Sequence, residues 1–140
     1  MKLGEKLCIG ILAILFLIAC NRKPNTKLEL INTSIDSVTT AKNISLNDLV
    51  YNYKSLDGQT IQTEGIVYYE FENVAIFLEK EYNSNCFWLD LNRNLTINDS
   101  LLHKASGQKF IIKGTIDISS KGHLGAYLAT IRNVYYLKTE

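Results

Sequence analysis

The sequence predicts a mainly β domain: a small closed barrel of five strands, with a helix ahead of the first strand and a short helix between the third and fourth. Three observations carry that expectation. Residues 59–70, 73–79, 85–91, 108–118 and 125–137 are rich in Ile, Val, Thr, Tyr and Phe, which fit a pleated, half-buried surface. The first and fourth runs start alike, at Gly58-Gln59 and Gly107-Gln108, and each holds a glycine in mid-strand, Gly65 and Gly114. A glycine there weakens a strand, so it marks a bulge or sharp coil where the strand bends between two sheets. Two strands bent in this way, with a helical piece between the third and fourth, suit closure into a barrel.

The leading helix begins at Ser45, whose hydroxyl can cap the first turn. Asp48 complements the helix dipole, and Leu46, Leu49, Val50 and Tyr53 form one apolar stripe. Asp57-Gly58 is a turn pair, so the helix should end near Leu56. In the first strand, period two puts Ile61, Gly65 and Val67 on one face. In the fourth, it puts Phe110, Ile112, Gly114, Ile116 and Ile118 on the corresponding face. Phe71-Glu72-Asn73 is a tight connection between the first two strands. Residues 92–107 interrupt the series with polar turns, and Ser100 to Ala105 offers a short helix before Gly107.

Upstream of the domain the pattern changes. Lys2 and Lys6 precede an apolar run from Leu7 to Ala19, broken by Gly10 and ending in Leu17-Ile18-Ala19-Cys20. The run is short for a bilayer span, which needs ~20 apolar residues, and has the charged and apolar regions of a secretory signal. The cysteine-ended box resembles that of bacterial lipoprotein signals. The resemblance implies that residues 1–19 are removed and that Cys20 is lipidated and becomes the new N-terminus. Two or three acyl chains, each buried methylene adding roughly 0.8 kcal/mol, hold such a protein stably to a membrane. An uncleaved membrane helix with an incidental cysteine is the alternative. Asn21 follows the cysteine; in Gram-negative sorting aspartate there favours the inner membrane, so the outer membrane of the cell envelope is the expected location. Residues 20–43 hold no aromatic residue, are rich in Asn, Thr, Ser and Lys, and read as a flexible tether spanning roughly 27 Å as a coil. The domain is expected over 44–140.

The chain carries 15 basic and 14 acidic residues, and loss of Lys2, Glu5 and Lys6 takes its formal charge from +1 to zero. A neutral domain lacks the electrostatic footprint of a general nucleic-acid binder. With Cys8 removed and Cys20 lipidated, Cys86 is left as the one thiol of the domain, so its core must form without an internal disulfide. Cys86 reads as a small hydrophobe in or beside a strand, with a reactive or intermolecular thiol as the alternative.

The order strand, strand, strand, short helix, strand, strand resembles the OB-fold. More narrowly, it is similar to the tRNA-anticodon-binding-like OB family. The segments that carry the likeness are the helix Ser45–Leu56, DGQTIQTEGIV at 57–67, CFWLDL at 86–91, SGQKFIIKGTIDI at 106–118, and the last strand through Leu128, Ile131 and Val134. Together they span residues 45–137. The resemblance implies a relation of folds and does not by itself imply RNA binding.

If Phe87, Leu89 and Leu91 fill the barrel, Cys86, Trp88 and Asp90 point outward, as do Gln62, Glu64, Ile66, Tyr68 and Glu70. Exposed Tyr68 and Trp88 on neighbouring strands would form a base-stacking platform. Glu64, Glu70 and Asp90 on the same face oppose phosphates, and the alternative is that the leading helix or the tether covers the two rings. The second candidate ligand site is the loop Ser119-Ser120-Lys121-Gly122-His123, which reads first as a solvated turn. Its serines and Lys121 lack the burial that would activate a lysine as a base. His103 and His123 have no Cys or carboxylate at metal-ligand spacing, and no glycine loop cradles a phosphate, so no cofactor or metal is expected.

The expected function is a lipid-anchored, non-catalytic binding module of the cell envelope with a protein or glycan ligand. The alternative is an exported single-stranded nucleic-acid binder. Tyr68, Trp88, Lys121, His123 and Arg132 are the candidate ligand contacts, and Cys20 is the membrane attachment.

Overall fold

The long strand expected after Asp57-Gly58 forms as β2 (Thr60–Glu70) and serves several neighbours at once. The computed structural model describes residues 40–80 and 85–140. The signal box, Cys20 and the tether up to residue 39 lie outside the described residues. Residues Thr60–Val67 of β2 pair antiparallel with β5 (Gln108–Asp117), while Ile66–Glu70 pair antiparallel with β3 (Asn73–Phe77). β3 continues to β4 (Cys86–Leu91), β4 runs parallel to β6 (Thr130–Thr139), and β6 returns to β5. Because β5 also pairs with β2, these five strands close into an OB-fold-like barrel. A two-residue strand, β1 (Lys42–Asn43), lies parallel to β2 beside Ile61 and Gln62. Its residues, expected at the end of the tether, pair with the barrel instead, held also by the Ile44 N–H donating to the Gln62 carbonyl at 3.0 Å.

Two short helices serve the barrel. α1 (Leu46–Asn52) runs on into a 3-10 turn over Tyr53–Leu56, and α2 (Asp99–Ala105) lies between β4 and β5. Ser45 caps α1 as expected, accepting from the Asp48 N–H at 3.1 Å and donating its hydroxyl to the Asp48 carboxylate at 2.7 Å. Asn98 caps α2, accepting from the Ser100 N–H at 2.9 Å. Leu46, Leu49 and Leu56 from the first helical segment, and Leu102 and Ala105 from α2, join one buried cluster with the inward strand residues. Phe87, Phe110, Ile112, Ile116 and Ile131 are at most 1 % exposed, so the alternation read from the strands places the core correctly. Among the described residues no helix is long and apolar enough to cross a membrane.

Both mid-strand glycines sit where another element comes too close for a side chain. A Cβ on Gly65 would lie 2.6 Å from Leu46 Cδ2 and 2.8 Å from both Ile76 Cγ1 and the Phe77 carbonyl. A Cβ on Gly114 would lie 2.8 Å from Ile131 Cγ2 and 3.0 Å from the Arg132 carbonyl. The bulge expected near the second glycine exists, but it is on the partner strand: β6 slips register between Ile131 and Val134, with Asn133 at φ +52°. β6 also starts at Thr130 rather than near 125, because residues 118–127 leave the sheet, and Leu128 and Ala129 rejoin it through backbone bonds to Cys86 and Trp88.

Tyr69 fastens α2 to β2. Its hydroxyl donates to Asp99 Oδ1 at 2.6 Å, its ring lies edge-on to His103 at 4.9 Å, and its N–H donates to Ser106 Oγ at 3.0 Å. The Asp99 hydrogen bond, then burial, then the Asp99 charge push the phenol up to about 12. The folded chain therefore holds this proton in a window where the unfolded chain has released it. Stability is full below about pH 10, the ordinary phenol value, and falls as pH rises towards 12. Tyr69→Phe should cost about 1 kcal/mol at neutral pH and flatten that alkaline decline, as urea titrations from pH 8 to 12 would read.

Candidate functional site

The outer face of the barrel carries a second, smaller core. Tyr68, Ala75, Trp88 and Thr130 are successive partners across β2, β3, β4 and β6, so β3 separates the two rings that were expected on neighbouring strands. Ala75, Phe77 and Cys86 are buried there, with Tyr68 and Tyr127 packed against them. Tyr127 belongs to the loop of residues 118–129 between β5 and β6, which lies over this face. Gly122 has φ +63° and ψ −157°, and a Cβ on it would lie 2.6 Å from both Cβ and Cγ of Trp88. The loop backbone thus rests directly on the tryptophan. Tyr127 packs edge-on to Trp88 at 5.2 Å and donates its hydroxyl to Asn73 Oδ1 at 3.0 Å. Tyr68 lies edge-on to Phe77 at 5.3 Å and donates to the Lys80 carbonyl at 2.6 Å.

Two expectations change accordingly. Tyr68 and Trp88 are half-buried and form no open platform, and among the described residues it is the β5–β6 loop, not α1, that lies against Trp88. The loop at Ser119–His123 is not a free turn, because its glycine and Tyr127 give it an apolar underside. Cys86 is the small hydrophobe expected at the start of its strand, 4 % exposed on the outer face, and burial pushes its thiol up to about 11.

The polar groups of the loop are used in holding it. Ser119 donates its hydroxyl to Asp117 Oδ1 at 2.6 Å, and Ser120 Oγ accepts from Thr130 at 2.8 Å. The Ser119 hydroxyl, helped by backbone N–H groups and Arg132, holds the Asp117 carboxyl below its usual range. Lys121 is exposed, and its carbonyl accepts from the Tyr127 N–H at 3.3 Å. His123 Nε2 stands 3.7 Å from Glu72 Oε2, which joins this loop to the β2–β3 turn when the imidazole is protonated. Arg132 belongs elsewhere: it sits in the β6 bulge, its guanidinium 3.3 Å from Asp117. The structure therefore gathers Trp88 with the Lys121–His123 loop, and sets Arg132 at the bulge, joined to the loop through Asp117, which also accepts from Ser119.

Sequence reading missed two features. Phe71 and Leu124, at the tips of the β2–β3 turn and the β5–β6 loop, are each 90 % exposed. Leu124 is held at φ +54°, a left-handed conformation that costs an L residue roughly 1–2 kcal/mol. Leu124→Asn removes no packing and suits that backbone, so it should stabilise the fold by about 0.5–1 kcal/mol in urea denaturation. The second feature is a groove of about 430 Å³ lined by Asp90, Leu91, Asn92, Arg93, Asn94, Arg132 and Asn133. Its residues come from the end of β4 and from the bulge of β6, a juxtaposition that strand periodicity cannot foretell. A further cleft of about 340 Å³ lies between Asn43–Ser45 and Gln62–Glu64. Among the described residues no group of three or more His, Cys, Asp or Glu side chains could hold a metal ion. Comparison with models of known protein families, with curated proteins and with solved structures found no match.

Proposed function

We propose that the chain is a lipid-anchored, non-catalytic binding module of the bacterial cell envelope, attached through Cys20 to the outer membrane and binding a protein or glycan. The observation that carries this reading is the cysteine-ended box Leu17-Ile18-Ala19-Cys20 ahead of a polar stretch, followed by a closed barrel whose first strand begins at Thr60. A barrel with its own core can stand on such a tether without needing the membrane to fold. The likeness to the tRNA-anticodon-binding-like OB family is taken as shared ancestry of the barrel, with no RNA role attached. The nucleic-acid alternative loses support where Gly122 and Tyr127 cover the face of Trp88, since bases need open rings to stack on.

The test is metabolic labelling with palmitate and membrane fractionation of the full chain, beside a Cys20→Ala variant, in a Gram-negative host. The native chain should incorporate label and sediment with membranes, and the variant should do neither. A variant that keeps both would overturn the anchoring half of this reading.

A further inference from the structure

We propose that the β6 bulge builds a saccharide-binding groove between β4 and β6, with Asp90, Arg93, Asn94 and Asn133 as the contact residues. The first support is the direction of the bulge residues. In a regular strand, one of two successive side chains points into the core. Here Arg132 and Asn133 are both exposed, because β6 uses one extra residue between the partners of Leu89 and Leu91. The register slip thus turns two consecutive polar side chains to one outer surface, and Gly114 across the sheet makes room for it. Bulges recur where a side chain has to be re-aimed.

The second support is how the groove is held. Asn92 ties its two walls: its N–H donates to the Val134 carbonyl at 3.0 Å, its Nδ2 donates to Asn133 Oδ1, and its Oδ1 accepts from the Asn94 N–H at 2.8 Å. This network uses the Asn133 oxygen and leaves the Asn133 Nδ2 hydrogens to donate outward. Asp90, Arg93 and Asn94 then present side chains that make no hydrogen bond or ion pair among the described residues. Oppositely charged neighbours share a groove without closing on each other.

The chemistry on offer is mixed. A carboxylate accepts from adjacent hydroxyls, a guanidinium donates to ring and hydroxyl oxygens, and amides do both. Sugar hydroxyls are donors and acceptors at once, and match that set. Charge argues against an anion: Asp90 offsets Arg93, and Asp117 already engages Arg132 at 3.3 Å. A volume of about 430 Å³ falls in the low part of the range for small-ligand sites, ~300–1,000 Å³. The ligand class is therefore an uncharged saccharide. The inference rests on the envelope reading only for where such a sugar would be met.

The experiment is an NMR titration of the full chain, isotope-labelled, in micelles of a detergent without a sugar headgroup. The probes are the β-1,4 tetramers of glucose and of N-acetylglucosamine, with tetragalacturonate as the anionic probe. At least one neutral tetramer should move the side-chain amide signals of Asn92, Asn94 and Asn133, with Kd in the millimolar range. Asp90→Asn and Arg93→Gln, both exposed, should keep the native spectrum and weaken that binding about tenfold each. The proposal is overturned if neither neutral tetramer moves those signals, if the shifts fall on Trp88 and Tyr127 instead, if tetragalacturonate binds more tightly, or if both variants bind unchanged. Cys20→Ala separates this claim from anchoring, because it should leave the titration as it is.

Discussion

Gly122→Ala should lift the β5–β6 loop off Trp88 and make Cys86 open to alkylation. Two costs act together at this position. A backbone at φ +63° and ψ −157° is a region populated almost only by glycine, worth about 1–3 kcal/mol to any other residue. The new methyl would also stand 2.6 Å from Trp88 and 2.7 Å from Tyr127 Cδ2, and overpacking of that kind costs about 1–3 kcal/mol. The main core, filled by Phe87, Phe110 and their neighbours on the inner face, is separate from this cover, so the barrel should persist while the loop detaches. Cys86 reports the difference. In the native chain it is buried, and a thiol pushed up to about 11 holds roughly a hundredfold less thiolate at pH 8 than one at the ordinary value. Slow iodoacetamide labelling of native Cys86 and fast labelling in Gly122→Ala is the expected pair of results. Equal slow labelling in both, with unchanged stability, would mean the loop does not depend on this contact.

The barrel was legible because its signals are local and repeated. Alternation along 59–67 and 108–116 names the inward residues, and Ser45 with Asp48 marks the first helix. Of the two glycines read as sites of a bulge or coil, only Gly114 lies at a register shift, and both causes lie in distant partners: Gly65 yields to Leu46 of α1, and Gly114 yields to the bulge at Asn133. Neither cause is a property of the strand that holds the glycine. The site was read less well for the same reason. Strand periodicity shows that Tyr68, Cys86 and Trp88 leave the barrel interior, and it is silent on what the excursion after Asp117 does next. Ser-Ser-Lys-Gly-His has the composition of a solvated turn, yet one glycine in an unusual conformation lets it lie flat on an indole. The groove at Asp90–Asn94 was unreadable because it depends on a register slip in β6, and a slip leaves no compositional trace beyond a single Asn able to adopt φ +52°.

Gly65→Ala should cost about 3 kcal/mol, the upper part of the range for overpacking, because all three obstructions are closer than 3.0 Å and one is a backbone oxygen. The nearest, Leu46 Cδ2 at 2.6 Å, belongs to α1, so the strand and the helix are coupled through a missing side chain. That coupling can be measured. Leu46→Ala alone should cost about 2–4 kcal/mol as a buried leucine truncated in a closed core. In the double variant the new methyl would occupy part of the space the leucine gave up, so the total loss should fall short of the sum of the two by more than 1 kcal/mol. The rescue should stay incomplete, since Ile76 and the Phe77 carbonyl still stand at 2.8 Å. Urea denaturation of the four proteins reads the cycle directly. Additive losses would mean that Gly65 answers to the strand geometry of β2 and β3 alone, and that α1 reaches the barrel without needing a gap at that residue.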